Sequence, residues 1–305
     1  MKDFHLYLTN FLNSPLFISK QGLDSLLMFT SHVESSLFNP AGYTYTKESE
    51  DICNRLASAG IPMTVNYGDT ELPESSVAFH RIEGCIFADT GRWDYFFSTT
   101  NFIRNLKLAE SNPKIGAHLL YVYSGGGEAY KLDEATALIA SLKKPVIAVT
   151  YKYNCSAAYH LSCAADCIYA TNPFDTIGCI GTMMSGLDII PFFKKLGMKY
   201  YEEYAEQSYE KNSRLRELRK GNAQPLITDE LNPLAAAFIE TVKKYRGITD
   251  EHVLAGQNYY ANLCEPLRLI DGILPLDDVF AEACKSAKVY TDLNSKQEYA
   301  LNHLI

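Results

Sequence analysis

A serine lies beside a cysteine in the segment YNCSAAYH, residues 153–160. Ser156 stands between an apolar run that predicts a strand and a run of small residues that predicts a helix. A hydroxyl at such a junction feels the positive end of the helix dipole, which favours developing negative charge and suits a nucleophile. The alternative is that Ser156 only caps the helix, a role that serine often fills. Taken alone, this segment favours the cap.

A serine nucleophile also needs a base, and several residues are available. His160 lies one helical turn after Ser156, where it is poorly placed to take the proton. Cys155 and His160 have the residue types of a thiol dyad, but close sequence neighbours seldom face each other. The remaining option is a lysine that burial keeps neutral, because desolvation lowers the pKa of an ammonium group. The candidates are Lys152, Lys199, Lys211 and Lys220.

The segment SGGGEA, residues 124–129, is the second stretch that could carry chemistry. Its three consecutive glycines let the backbone approach a ligand closely, and the predicted helix start after them supplies unpaired N–H groups. Together these features could form an oxyanion hole. The glycines do not match the GxxxxGK[ST] or GxGxxG spacings of phosphate-binding loops. A tight turn without a chemical role explains the segment equally well.

Both stretches belong to a region, starting at Val77, in which short apolar runs alternate with helical patterns. This alternation predicts an α/β fold with a mainly parallel sheet, and α/β folds place their sites where strands end. Residues 1–76 predict an N-terminal helical extension, with helices over 22–38 and 48–60 and a polar linker over 66–76.

Three further elements are predicted after Asp188, namely a helix over 188–197, a strand over 198–205 and a helix around 231–246 with one apolar face. Residues 291–305 form a polar tail that we expect to fray. The main domain is therefore expected over residues 77–290.

Composition narrows the possible partners. The 305 residues carry a net charge of −8, which argues against binding to nucleic acid or an anionic membrane. The longest apolar runs are far shorter than a membrane-spanning helix, and the N-terminus does not have the pattern of a signal peptide, so we expect a cytoplasmic protein without a membrane anchor. Eight cysteines without a CxxC pair predict neither a metal site nor a cofactor.

Four motifs in this order resemble the signal peptide peptidase A (SppA) family of serine peptidases. They are SGGG at 124–127, CSAAY at 155–159, AAD at 164–166 and GCIG at 178–181. The family patterns are Ser-Pro-Gly-Gly, Ala-Ser-Gly-Gly-Tyr, Ala-Ala-Asp and Gly-Ser-Ile-Gly. The resemblance extends from about Val77 to Lys285. It implies a ClpP/crotonase-like fold of repeated ββα units, here with the N-terminal helical extension.

The resemblance also implies roles for individual residues. Ser156 becomes the nucleophile, Gly126 and Gly127 become oxyanion donors, and a lysine becomes the general base. An ungapped alignment puts Tyr209 at the lysine position, and Lys211 stands two residues later, so the resemblance points to Lys211 after a small shift.

Three departures from the family pattern affect the site itself. Ala157 and Ala158 replace two glycines, which could narrow a substrate cleft, and Cys179 replaces a serine. These departures support an alternative interpretation, in which the protein keeps the fold but is a catalytically inactive assembly protein. A less favoured alternative is an acyl-CoA-handling crotonase relative.

The N-terminal FLNSPLFISKQGLDSLL is similar, as a weaker match, to the phage and prophage capsid-assembly proteases. This similarity implies a serine endopeptidase that processes scaffold or capsid proteins. The SppA resemblance also implies a ring-like homo-oligomer in which neighbouring protomers complete the Ser/Lys dyad.

Overall fold

A ten-stranded sheet is the centre of the computed structural model, which describes residues 16–18, 45–58, 60–90, 96–185, 188 and 190–302. The path through the sheet is β10-β7-β6-β5-β3-β2, with β1 on β5, β4 on β3, and β8 between β6 and β9. The strands are β1 (Leu16–Ile18), β2 (Met63–Thr64), β3 (Ser76–Phe87), β4 (Phe97–Ser98), β5 (Ile115–Glu128), β6 (Val146–Cys155), β7 (Cys167–Ala170), β8 (Thr176–Gly178), β9 (Asn258–Tyr260) and β10 (Gly272–Ile273).

All pairs along the path are parallel, and only β1–β5 and β8–β9 among the pairs of these ten strands are antiparallel. The first halves of β5 and β6 are buried on both faces, as expected for continuous apolar runs within a parallel sheet. The predicted α/β class is therefore confirmed.

The long strands change register midway, which splits each into two segments. Between β5 and β6 the pairing passes from Val122↔Thr150 to Ser124↔Asn154, so β6 advances by two extra residues. As a result the first half of β6 pairs with β7, while its second half pairs with β8. Such irregularities bend a strand. The strand, its redirected continuation and the following helix form the repeated ββα unit that the resemblance implied.

Helices cover both faces of the sheet. One core cluster involves α2, α3, α4 and α8, and a second one, on the opposite face, involves α1 and α10. The helices are α1 (Tyr45–Ser58), α2 (Thr99–Ser111), α3 (Leu132–Ser141), α4 (Ala157–Ser162), α5 (Ile190–Lys195), α6 (Ser213–Arg219), α7 (Gln224–Leu226), α8 (Asn232–Arg246), α9 (Ala261–Cys264) and α10 (Leu276–Asn302).

Several predicted elements are present with shifted boundaries. Helix α8 buries the expected apolar face through Phe238 and Val242. The tail does not separate at residue 291, because α10 continues through it to Asn302. Part of the predicted linker is tied to the core, since the Tyr67 hydroxyl donates to Phe79 O at 2.8 Å. The helix predicted over 22–38 lies outside the described residues.

The strand predicted over 198–205 is wrong. These residues have no regular secondary structure, and the side chains of Tyr200 and Tyr201 are exposed. A strand needs a neighbouring strand to satisfy its backbone groups, and this segment has none within the described chain.

Candidate active site

Ser156 occupies a strained turn between β6 and α4. Its backbone has φ 57° and ψ −119°, a combination that L-residues rarely adopt. Such strain costs roughly 1–3 kcal/mol and persists only where the surrounding structure enforces it, often at functional sites. A strained strand-to-helix turn is also the way in which some hydrolases present a nucleophilic serine.

The Ser156 hydroxyl is buried and lacks a hydrogen-bond partner. The residue is 1% exposed, and its Oγ meets no donor or acceptor among the described residues. It also does not cap α4, since its side chain accepts no bond from the first helical turn. The cap that the isolated segment favoured is therefore wrong, and the hydroxyl has no structural role that explains it.

Hydrogen bonds to the turn backbone hold Ser156 in this conformation. The Ser156 N–H donates to Gly178 O at 2.8 Å, and the His160 N–H donates to Ser156 O at 2.8 Å. Gly178 itself has φ 109°, and a Cβ there would lie 2.8 Å from Gln257 O. The first glycine of GCIG thus keeps the serine turn in place. Cys179, the departure in that motif, leaves the loop bonded through its N–H to Gln257 O at 2.8 Å.

Sequence reasoning missed Asn154, a second support for the turn. Its side-chain Nδ2 donates to Ser162 Oγ at 2.9 Å and is bonded to Thr150 Oγ1 at 3.2 Å. These buried bonds connect the end of β6 to the end of α4. A single asparagine in an apolar run is the only sequence signal, and it does not reveal the partners.

The glycine turn at the end of β5 is built for close backbone contact. A Cβ on Gly127 would lie 2.0 Å from Ile86 O, so only glycine fits there. Gly126 has φ 108°, and its N–H already donates to Ser124 Oγ at 3.1 Å. Ser124 Oγ in turn donates to Gly84 O at 2.6 Å. The Gly126 amide is therefore engaged within the turn.

A further amide that the sequence did not single out is that of Ala157. It is the first residue of α4, where backbone N–H groups have no acceptor within the helix. Ala157 and Ala158 are both fully buried in the core, so their methyl groups pack inward rather than into an open cleft.

His160 has other partners than Ser156. Its Nδ1 is bonded to Thr136 Oγ1 at 2.8 Å, its Nε2 lies 3.2 Å from Asp133 Oδ1, and its ring packs against Phe238. The hydrogen bond from His160 lowers the pKa of the Asp133 carboxyl. Such contacts make His160 a buried structural residue.

Cys155 is also unsuited to act as a nucleophile. Burial raises the pKa of its thiol far above the ordinary value, and its Sγ donates to Thr176 O at 3.4 Å. The reactive form of cysteine is the thiolate, which this environment disfavours. No disulfide joins any of the eight cysteines, all of which lie in the described part of the chain.

The four candidate lysines differ in their surroundings. The Lys152 ammonium lies over the rings of Tyr123 and Tyr151, at 5.4 and 5.5 Å from their centroids. Lys220 forms an exposed ion pair with Glu217 at 2.8 Å. Lys199 and Lys211 are exposed and make no side-chain bond within the described residues. Since the Ser156 hydroxyl has no partner there either, no described lysine of the same chain is bonded to it.

Lys144 is a lysine with a buried side chain. Desolvation lowers its pKa to about 8. Its Nζ donates to Ala109 O at 2.9 Å and to Asn112 O at 2.7 Å, which satisfies the carboxyl end of α2. Lys144 precedes β6, whereas Ser156 follows it, and ten residues of extended chain separate them. It is a helix-capping residue and cannot reach the serine.

Among the residues that the structure describes, no group of three or more His, Cys, Asp or Glu side chains is arranged to hold a metal ion. The described helices also include none whose length and apolar character would let it cross a bilayer.

Comparison with known proteins connects these features to a peptidase family. Residues 139–290 match the model of peptidase family S49. The chain is 27% identical over 223 residues to a putative signal peptide peptidase SppA from Enterococcus faecium, with 68% of this chain and 62% of the relative covered. This chain thus aligns with about three-fifths of that relative's length. The family match includes Ser156, Gly178 and Lys211, and it begins after Gly126 and Gly127.

Two solved structures align with the chain at low identity. A membrane-bound stomatin-specific protease is 15% identical, with 68% of this chain and 84% of that chain covered and a TM-score of 0.45. A ClpP1 mutant from Listeria monocytogenes is 13% identical, with 66% and 94% covered and a TM-score of 0.41.

Proposed function

We propose that the protein is a serine endopeptidase of family S49, whose model matches residues 139–290, with Ser156 as its nucleophile. The observation that carries this proposal is the Ser156 turn, which combines rare backbone angles with a buried hydroxyl that lacks a partner. Both features cost stability, and they are explained if Ser156 is a nucleophile whose hydroxyl is positioned to react with a substrate.

In the proposed reaction, Ser156 Oγ attacks the carbonyl carbon of the peptide bond while a neutral lysine takes the hydroxyl proton. The lysine then gives this proton to the leaving amine, and an acyl-enzyme remains. A water molecule then attacks the acyl-enzyme carbonyl carbon while the same lysine takes its proton, and the lysine gives this proton to Ser156 Oγ as the bond to the serine breaks and the carboxylic acid product leaves. Backbone N–H groups of Gly127 and Ala157 stabilise the oxyanion, with Gly126 shaping the turn between Ser124 and Gly127. Each donor of this kind contributes about 3 kcal/mol to stabilisation of the transition state.

We assign the general base to Lys211 and place it in a neighbouring copy of the chain. Within one chain, neither the Ser156 hydroxyl nor the Lys211 ammonium has a hydrogen-bond partner among the described residues. Large exposed apolar side chains occur within the twenty residues that precede Lys211, with Phe192 61%, Tyr201 75% and Tyr209 69% exposed. Such surfaces typically mark contacts between proteins. A homo-oligomer would bury these side chains and could also bring Lys211 to the serine of the next protomer.

A complementation assay tests the shared dyad. Ser156→Ala and Lys211→Ala should each abolish cleavage of an unfolded protein such as reduced casein, whereas Lys220→Ala should retain it, since Lys220 is occupied by Glu217. Mixing the two inactive variants should restore part of the activity, because some sites would then combine an intact serine with an intact lysine. Activity that Lys211→Ala leaves unchanged would refute the assignment of the base, and inactivity of the wild type would favour a noncatalytic assembly protein.

We further propose scaffold or capsid proteins as substrates and the cytoplasm as the location. The substrate proposal is supported by the similarity of the N-terminal FLNSPLFISKQGLDSLL to phage and prophage capsid-assembly proteases. Incubating the purified protein with a prophage scaffold protein, with Ser156→Ala as the control, tests it. An intact scaffold after incubation with an enzyme that cleaves casein would rule out this substrate.

A further inference from the structure

Strand β1 covers the glycine turn of the proposed active site. It runs antiparallel to β5, with Leu16 opposite Glu128, Phe17 opposite Gly127 and Ile18 opposite Gly126. The other edge of the same turn is paired with β3, where Cys85 and Ile86 lie opposite the two glycines. The turn therefore has one edge for another strand, and a segment of this chain occupies it.

The same strand lies beside the proposed nucleophile. β1 contacts α4, the helix that begins directly after Ser156. A nucleophile must touch its substrate, yet Ser156 is only 1% exposed in this arrangement. Some part of its cover must therefore move before a peptide can reach it. β1 is a suitable candidate because its three residues belong to a short strand held at one edge of β5.

The edge that β1 occupies has the chemistry of a peptide-binding groove. A strand edge offers backbone N–H and C=O groups in a row, and an extended peptide can add to it by main-chain hydrogen bonds. Gly126 and Gly127 carry no side chains that would hold an incoming backbone away. Recognition of this type accepts many side chains, which suits an endopeptidase.

Resting on the proposed function, we infer that the edge of β5 at residues 126–128 binds one extended peptide strand of the substrate, antiparallel to β5, and that Leu16–Ile18 is its internal competitor. The segment occupies the groove in the isolated chain and must leave before a substrate binds. The chain thereby carries a substrate-like strand that restrains its own site.

The strength of this restraint follows from the covalent connection. A tethered segment has an effective concentration of about 1 mM when its linker is flexible and long enough. A tethered strand with an intrinsic dissociation constant of about 0.1 mM would then weaken binding of an external peptide about tenfold. The apparent Kd of the external peptide is multiplied by one plus the ratio of the effective concentration to the dissociation constant of the tethered strand.

A peptide-binding experiment in the Ser156→Ala background tests the inference without requiring cleavage. The probe is a fluorescein-labelled peptide of residues 13–20, NSPLFISK. Its Kd is measured by fluorescence anisotropy with the full-length chain and with Leu16→Pro/Phe17→Pro. Successive N–H groups along a strand point to opposite edges, so one of these two residues has its N–H directed at β5. Replacing both with proline removes that N–H, whichever residue carries it. Leu16→Ala/Phe17→Ala is the matched control, because it keeps both N–H groups.

We expect the double-proline variant to bind the probe about tenfold more tightly than the parent chain does, with the double-alanine control closer to the parent. A chain lacking residues 2–20 should behave like the double-proline variant, which guards against a local effect of proline. A scrambled peptide serves to measure nonspecific binding. Equal Kd values for the parent and both released variants, or no binding of the probe to either released variant up to about 1 mM, would overturn the inference.

Catalysis is measured separately, with the serine intact, so the two proposals can fail independently. If the probe binds more tightly after β1 is released and casein remains uncleaved in every variant, the groove stands and the peptidase proposal fails. If casein is cleaved equally by the parent and the double-proline variant while their Kd values for the probe are equal, the peptidase stands and the internal competitor is refuted.

Discussion

Replacing Ser156 with alanine should make the protein more stable, although most substitutions of buried residues destabilise. The hydroxyl is buried without a partner among the described residues, so removing it relieves the cost of burying an unsatisfied polar group. That cost is about 1–3 kcal/mol. Allowing for the small void left by the oxygen, we expect a gain of about 1–2 kcal/mol in the free energy of unfolding.

Glycine at the same position should stabilise further. The backbone angles of Ser156, φ 57° and ψ −119°, suit glycine, so Ser156→Gly relieves strain of roughly 1–3 kcal/mol. Against this, the added freedom of glycine in the unfolded chain costs about 1 kcal/mol. The net expectation is a gain for Ser156→Gly equal to or larger than that of Ser156→Ala.

Ser162→Ala is the matched control. Ser162 is equally buried at the end of α4, the helix that follows Ser156, but its Oγ accepts a hydrogen bond from Asn154 Nδ2 at 2.9 Å. Its removal leaves the Asn154 amide with fewer partners and should destabilise the protein by about 1–3 kcal/mol. Urea unfolding at neutral pH, followed by circular dichroism, gives these differences. A loss of more than about 1 kcal/mol in Ser156→Ala, or the same sign for both alanine variants, would refute the description of Ser156 as a strained residue with an unsatisfied hydroxyl.

Two other changes follow from the geometry. Gly127→Ala should destabilise the protein by about 3 kcal/mol or more and abolish casein cleavage, because its Cβ would lie 2.0 Å from Ile86 O. Gly84→Ala is the control: its Cβ would meet nothing within 4 Å, so it should cost only about 1–2 kcal/mol for the positive φ. Equal losses of unfolding free energy for the two variants in urea would contradict this prediction. Burial lowers the pKa of His80 and His118 below 6.5, so the unfolded chain binds more protons below that pH and the free energy of unfolding should fall from pH 7 to 5, by up to about 1.4 kcal/mol per pH unit for each histidine. In His80→Gln, the free energy of unfolding measured in urea should change less steeply with pH over this range. An unchanged pH dependence would contradict the contribution of His80 to this loss of stability.

The sequence predicted the parts of the fold that depend on local pattern. The continuous apolar runs of β5 and β6 indicated a parallel sheet, and three- and four-residue spacing indicated α8 and its buried face. The predicted strand over 198–205 failed because strand-like residues form a strand only beside a partner strand.

The candidate site was predictable only in part. The resemblance pointed to Ser156, but nothing in YNCSAAYH reveals a positive φ or a hydroxyl without a partner, since both depend on contacts with distant residues such as Gly178. The segment alone therefore favoured a helix cap. The Lys211 assignment stays a prediction, because a base from a neighbouring protomer cannot be seen in one chain. The pairing of Leu16–Ile18 with the glycine turn depends on chain topology and has no local sequence signal.

The central claim is that Ser156 is a reactive nucleophile, and covalent labelling tests it most directly. The assembled wild-type protein and its double-proline variant are incubated with a fluorophosphonate, and the modified residue is identified by mass spectrometry of proteolytic fragments. Our account predicts a single adduct on Ser156, formed faster in the double-proline variant and absent from Ser156→Ala. Cys155→Ala should keep the adduct. An adduct on another residue, or unmodified Ser156 in both proteins, would contradict the claim.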